Sequence, residues 1–88
     1  MQNKIEIDLS NIFKTISCTN AKLSDLDQYI DMVLEQAGEG NEITLTGAAP
    51  IWLYLKIAHA LHGKAKRLLY SAPGQGISDF EVFNHDPN

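Results

Sequence analysis

One segment limits what this chain can fold into: residues 50–62 have the pattern of a helix that is apolar around most of its circumference. Pro50 suits the first position of a helix, and Gly63 suits the residue just beyond its end. Because water solvates such a helix poorly, it must pack on a sheet or against a partner chain. The apolar positions are Ile51, Leu53, Leu55, Ile57, Ala58 and Leu61, whereas Trp52, Lys56 and His59 form the one stripe with polar character.

Strand patterns surround this helix in the 88-residue chain. Alternation of apolar and polar residues predicts a half-buried strand over residues 4–9, and Ser10-Asn11 favours a turn after it. A second strand over residues 13–17 would complete a hairpin with the first. The remaining strands are predicted over residues 42–46, 65–71 and 77–83.

Another helix is predicted between the second and third strands. Ser24 is a good N-cap, apolar residues then repeat at helical spacing as far as Ala37, and Gly38 favours the helix end. The order β-β-α-β-α-β-β describes a single α+β domain over residues 1–88, with a small mixed sheet and two helices packed on one face. Because so small a domain buries a limited core, we expect self-association to supplement its stability.

Charge is distributed unevenly along the chain. The net charge of −4 argues against a nonspecific binder of duplex DNA, which is normally basic. From Ile43 to Ser78, however, the chain carries no carboxylate, and its cations there are Lys56, Lys64, Lys66 and Arg67. This segment suits an anionic ligand, although a buried strand–helix–strand core would also lack acidic residues.

The single cysteine bears on the compartment. Cys18 has no second cysteine to pair with, and we expect it to be a small buried apolar residue at a strand end. A reducing cytosol fits this residue and the absence of a signal-peptide pattern, so we expect a cytoplasmic protein. No apolar run in the sequence reaches the length of a membrane span.

Two bends made of small residues are candidate anion sites. The first joins a strand to the start of the apolar helix, where free amide groups and the helix dipole favour phosphate or carboxylate. It lacks the pattern of a nucleotide-binding P-loop, and a plain strand-to-helix connection is the alternative. The second bend is either a ligand-binding loop or a hairpin turn. Their residues are Thr46, Gly47, Ala48, Ala49 and Pro50 in the first, and Ser71, Gly74, Gln75 and Gly76 in the second.

Histidines are the main candidates for catalysis. His59 and His62 are three residues apart and share one side of the helix. A metal site would need a third ligand, for which His85 or Asp86 is available in the sequence. The alternatives are a hydrogen-bonded His59 and a His62 that complements the helix dipole. No signature of a catalytic serine or cysteine is present.

Several of these residues together resemble a known family, the small ring nucleases associated with type III CRISPR systems. Members carry a glycine-x-glycine-proline-isoleucine-tryptophan-leucine stretch, an alanine-histidine pair, a further histidine and a strand with tyrosine followed by an acid, proline and arginine. The similarity covers about residues 42–85. The matching residues here are Gly47-Ala48-Ala49-Pro50-Ile51-Trp52-Leu53, Ala58-His59, His62 and Leu69-Tyr70-Ser71.

The resemblance implies a ligand, cyclic oligoadenylate and specifically cyclic tetra-adenylate, held between subunits of a homo-oligomer (a dimer or tetramer). The bends would bind phosphates, Lys56, Arg67 and His59 would supply positive charge, and Trp52 or Tyr70 would stack on adenine. Ser71 replaces the family's acid, Pro73-Gly74-Gln75 lacks its arginine, and the histidines are spaced differently. These departures favour a sensor domain of an antiviral effector, without rapid cleavage and without a cofactor. A related alternative, by analogy, is the cytosolic sensing part of a membrane-anchored CRISPR effector, with the anchor outside this chain.

Two other functions stay open at this point. One is a ring nuclease dependent on Mn²⁺, in which His59 and His62 act as metal ligands or as acid–base groups. The other is an oligomerisation module without a ligand, in which the apolar helix and the last strand form a subunit interface.

Overall fold

The structure, a computed structural model, describes residues 3–18, 20–71 and 80–84. Its strands form one four-stranded sheet in the order β1-β2-β3-β4, in which β1, β2 and β3 are parallel and β4 pairs antiparallel with β3. The helices lie between the parallel strands in sequence. The elements are β1 (Lys4–Asp8), α1 (Leu9–Ser17), α2 (Leu26–Ala37), β2 (Glu42–Thr46), α3 (Ile51–Leu61), β3 (Arg67–Tyr70) and β4 (Phe80–Asn84), with a short 3₁₀ turn at Leu23–Asp25.

The predicted α+β class, with a small mixed sheet carrying helices, is confirmed. Contacts from α2 to both α1 and α3 place the three helices together on one face of the sheet. The apolar side chains of the parallel strands point into the layer between sheet and helices. Fully buried or nearly buried members of this core are Ile7, Leu9, Ile12, Tyr29, Val33, Ile43, Leu45, Leu53, Ile57, Leu61 and Leu68.

The predicted strand over residues 13–17, and with it the hairpin, is wrong, because these residues belong to α1. Ser10 and Asn11 are not a turn but the first turn of this helix, where their amides donate to the Asp8 carboxylate. An aspartate that accepts two such bonds is a helix N-cap. The buried positions of α1 are Leu9, Ile12, Phe13 and Ser17, which is the spacing of one helix face.

The prediction of Ser24 as an N-cap is also wrong. Ser24 is an exposed residue inside the 3₁₀ turn, and α2 begins two residues later, at Leu26. The end of α2 at Ala37 agrees with the prediction, and Gly38 follows with a φ of +63°. The described residues therefore form three α-helices and four strands, whereas the sequence predicts two helices and five strands.

Cys18 differs from its expected burial. It lies at the end of α1, not at a strand end, and it is exposed. Its φ is +69°, in the left-handed region that β-carbon-bearing residues seldom adopt. Four residues after Cys18, the amide of Lys22 donates a hydrogen bond to the hydroxyl of the buried Tyr29 at 2.8 Å.

The segment from β2 to β3 agrees most closely with prediction. β2 has the predicted bounds, α3 begins one residue after Pro50, and β3 lies inside the predicted strand over residues 65–71. β4 starts at Phe80, and residues 77–79 of the predicted last strand lie outside the described residues. Within the described ranges, no helix combines the length and apolarity that crossing a bilayer requires.

Candidate functional site

The first bend and Ser71, the described residue of the second bend, lie at one edge of the sheet. Parallel strands end at the same edge, so the residues after β2 and β3 become neighbours. The Thr46 hydroxyl donates to the backbone carbonyl of Ser71 at 3.0 Å, and the Ser71 amide donates to the carbonyl of Leu45 at 2.9 Å. Thr46 and Ser71 therefore lie side by side. This edge is where open sheets with parallel strands commonly bind ligands.

Gly47 occupies a position in the first bend that only glycine fits without strain. Its φ is +105°. A β-carbon built on Gly47 would lie 2.1 Å from Oδ1 of Asp8 and 3.0 Å from the amide nitrogen of Ser10. The absence of a side chain at Gly47 thus lets the end of β1 approach the bend. A close approach of the protein's own carboxylate accounts for this glycine, independently of any ligand.

Asp8 places a charged group beside the bend. Its Oδ1 accepts hydrogen bonds from the Ser10 amide at 2.9 Å and from the Ser10 hydroxyl at 2.5 Å. The hydrogen bond from the Ser10 side chain is the main cause that lowers the pKa of the Asp8 carboxyl from its ordinary 3.8, against the opposing effect of burial. Because this carboxylate caps α1, the first amides of α1 are already paired with an anion.

The capping charge predicts a pH dependence of stability. Since the folded protein lowers the pKa of Asp8, its stabilising effect is fully present above pH 3.8 and is lost as the pH falls through the lower, folded value. Asp8→Asn retains a capping acceptor but no charge, and we expect it to cost about 0.3–1 kcal/mol at pH 7, from the lost interaction with the helix dipole. Denaturant unfolding between pH 7 and pH 2.5 should show this difference shrinking in acid. A difference that stays constant or grows below pH 3.8 would contradict the assignment.

Tyr54 connects the first bend to β3. Its hydroxyl donates to the carbonyl of Gly47 at 2.5 Å. Its ring meets the ring of Tyr70 edge to face, with centroids 5.2 Å apart. Burial, with smaller contributions from Tyr70 and Asp8, raises the pKa of Tyr54 to about 12. The phenol therefore stays protonated at neutral pH and holds the bend in place as a hydrogen-bond donor.

The start of α3 is the part of this edge that offers amide donors. Pro50 is the N-cap residue, and among the described residues no side chain caps the helix. The first bonds within the helix run from the amides of Leu53 and Tyr54 to the carbonyl of Pro50. The preceding amides, those of Ile51 and Trp52, belong to the unpaired set that a helix start presents together with its positive dipole end.

The other residues predicted for the first bend connect the end of β2 to the start of α3. Ala48 is exposed, and Ala49 and Pro50 are half-buried between β2 and α3. Lys56 and His59 are exposed on α3, with His59 about 12 Å along the helix axis from Ile51. Trp52 is half-buried and packs against the core.

Arg67 does not join the bends. It is the first residue of β3 and pairs with Glu42, the first residue of β2, so it lies at the opposite edge of the sheet. Its guanidinium contacts Glu42 and Glu81, each at 2.9 Å. Glu42 and Thr46 are the two ends of the strand β2, four residue steps apart, a distance of roughly 13 Å. The expectation that Arg67 binds a ligand at the bends is therefore incompatible with its position in one subunit.

The histidines form no metal site within the described ranges. No group of three or more histidine, cysteine or acidic side chains there could hold a metal ion. His62 instead meets the ring of Phe83 edge to face, with centroids 5.3 Å apart. The predicted ligand-binding residues Gly74, Gln75 and Gly76 and the candidate metal ligands His85 and Asp86 lie outside the described residues.

Two residues of this edge were missed from the sequence. The strand predicted over residues 4–9 has Asp8 as one of its polar positions, although an aspartate followed by serine and asparagine is a recognisable start of a helix. Tyr54 lies within the apolar helix, and no local pattern distinguishes its hydroxyl from that of any other tyrosine.

A scan against protein-family models and searches of curated proteins and of solved structures find nothing that matches this chain.

Proposed function

We propose that this domain binds a phosphate-bearing ligand of the cyclic oligoadenylate class at the bend between β2 and α3, as a sensor. One observation supports this most: the bend, the start of α3, which no described side chain caps, and Ser71 all lie together at the carboxyl edge of the parallel strands. Anions bind at such helix starts because the amides donate to them and the dipole is favourable.

The charges near the bend favour a phosphate that approaches the bend from the α3 side. Asp8 occupies the α1 side of Gly47, and its negative charge disfavours a phosphate there. From Ile43 to Ser78 the chain has no carboxylate, and Lys56 is exposed one and a half turns along α3. A phosphate bound to the amides of Ile51 and Trp52 would thus be attracted by the positive end of the helix dipole and by Lys56. No acidic side chain on α3 would repel it.

The resemblance to CRISPR-associated ring nucleases supports cyclic tetra-adenylate as the first ligand to test. One bend and one helix start provide few phosphate sites, so a ring with four phosphates would need several copies of this chain. A symmetric ligand suits a symmetric homo-oligomer, a dimer or a tetramer, with the ring between subunits. The sensory domain of a type III CRISPR effector would use such an arrangement.

Binding without rapid cleavage is the form of this function that the geometry favours. Ser71 stands where the resembling family has an acid, and His59 lies about 12 Å along α3 from the helix start. In the described part of the chain, no metal-binding group accompanies either histidine. A nuclease using His59 and His62 would have to draw its remaining groups from another subunit or from residues beyond those described.

Ala48→Asp tests this proposal directly. Ala48 is exposed, so the aspartate costs little stability, yet it places a like charge in the bend and competes for the same amides as a phosphate. We expect the affinity for cyclic tetra-adenylate, measured by isothermal titration, to fall by at least about tenfold. The melting temperature should remain within the error of the wild type.

Ser24→Asp is the matched control, because it also adds one negative charge at an exposed residue ahead of a helix. It should leave the affinity unchanged. Equal losses in both variants would attribute binding to overall charge, and no binding of cyclic tetra-adenylate, cyclic hexa-adenylate or linear adenylates to the wild type would contradict the proposal.

A further inference from the structure

An apolar groove runs between α3 and the β3–β4 side of the sheet, with a volume of about 280 Å³. Its walls include Ile51, Leu55 and Ala58 from α3, Leu69 and Tyr70 from β3 and Val82 from β4. We call it the α3–β4 groove. No charged side chain is among the described residues that line it.

The groove exposes apolar side chains that a small domain normally buries. Ile51 is 78% exposed, Leu55 66% and Val82 48%. Neighbouring apolar side chains that stay open to solvent commonly mark a binding surface, and pockets for small ligands are mostly apolar with a few polar groups at one end. This groove has that composition.

Tyr54 joins the groove to the candidate phosphate site. It lines the groove, its hydroxyl bonds to the carbonyl of Gly47, and its ring contacts Tyr70 on the groove wall. Ile51 belongs to both features, because it is the first residue of α3 and also a groove residue. The start of α3 therefore adjoins an apolar cleft with tyrosines in its wall.

We propose that the α3–β4 groove holds one purine base of the ligand whose phosphate binds at the start of α3. This inference rests on the proposed function and specifies which part of the molecule recognises the base. A flat heteroaromatic ring gains contact with aliphatic and tyrosine side chains, and such stacking tolerates any base. In this arrangement Tyr70 faces the base, whereas Trp52, packed against the core, supports α3 from another side.

Leu55→Ser tests the groove with an unusually close control. Leu55 and Leu23 are both leucines with 66% exposure, and only Leu55 lines the groove. The probes are cyclic tetra-adenylate and inorganic tripolyphosphate, which has phosphates but no base. We expect Leu55→Ser to weaken the adenylate roughly five- to thirtyfold, from the loss of base contact, and to leave tripolyphosphate unchanged. Leu23→Ser should alter neither affinity.

Further measurements separate the failure of this inference from failure of the proposed function. If the wild type binds neither probe, the proposed function fails and the groove inference falls with it. If the wild type binds cyclic tetra-adenylate and Leu55→Ser binds it equally well, the groove inference alone is overturned. If Leu55→Ser weakens both probes and lowers the mass measured by light scattering, the groove is a contact between copies of this chain, which also overturns the inference.

Discussion

Replacing Gly47 with alanine is expected to lower the free energy of unfolding by about 2–5 kcal/mol, from left-handed backbone strain and a steric clash together. The backbone at Gly47 has a φ of +105°, which a residue with a β-carbon adopts only with strain. The new methyl group would also lie 2.1 Å from the Asp8 carboxylate, so the helix cap would have to move. Denaturant unfolding followed by circular dichroism measures this loss.

A double-mutant cycle separates the two causes. Asp8→Ala alone removes the cap of α1 and should cost roughly 1–2 kcal/mol. In that background Gly47→Ala meets no carboxylate, so it should cost only the backbone strain and the contact with the Ser10 amide. Costs that simply add would show that Asp8 and Gly47 do not press against each other, contrary to the structure.

Replacing Tyr29 with phenylalanine is expected to cost about 1–3 kcal/mol, because it leaves the Lys22 amide without its acceptor and removes one of the two partners of the Ser17 hydroxyl. Tyr29 is fully buried, and its hydroxyl accepts from the Lys22 amide and hydrogen-bonds with the Ser17 hydroxyl. Ser17 in turn donates to Asp25 at 2.7 Å. This chain of hydrogen bonds fastens the connection between α1 and α2.

Tyr54→Phe is the matched comparison for Tyr29→Phe, since it removes the same hydroxyl from a half-buried tyrosine. It should cost less, because water can reach the groups left behind. A larger loss in unfolding free energy for Tyr54→Phe than for Tyr29→Phe would contradict the burial on which this prediction depends.

The part of the fold that sequence patterns predicted best is β2–α3–β3. Its signals agree with one another: a short strand, small residues, Pro50 at the helix start, a helix apolar on most sides and Gly63 beyond its end. The proximity of Thr46 and Ser71 also follows from topology. A helical crossover between adjacent strands makes them parallel, and parallel strands end at one edge.

The first helix was missed because two periods overlap in residues 9–17. A helix fits the spacing of Leu9, Ile12, Phe13 and Ile16. The alternation over β1 just before them, however, also favours a second strand that would form a hairpin. The Asp8 cap favours the helix over the strand, because the Asp8 side chain accepts hydrogen bonds from amides that a helix start leaves unpaired.

The errors at the site have different origins. Arg67 begins its strand, and strand direction alone would have placed it at the edge away from the bends. The contact between Asp8 and Gly47 joins β1 to the bend after β2, and no local pattern encodes a contact between residues so far apart in sequence. The groove arises because β4 extends the sheet beyond α3, which depends on packing rather than on local propensity.

Amide chemical-shift mapping by NMR tests most directly whether the start of α3 receives the ligand's phosphate. With ¹⁵N-labelled protein and increasing cyclic tetra-adenylate, the largest shifts are expected at the amides of Gly47, Ala48, Ile51 and Trp52, with Ser71 beside them. Shifts centred instead on α2 or around Arg67, or no shift anywhere at a large excess of the nucleotide, would contradict a phosphate site at this bend.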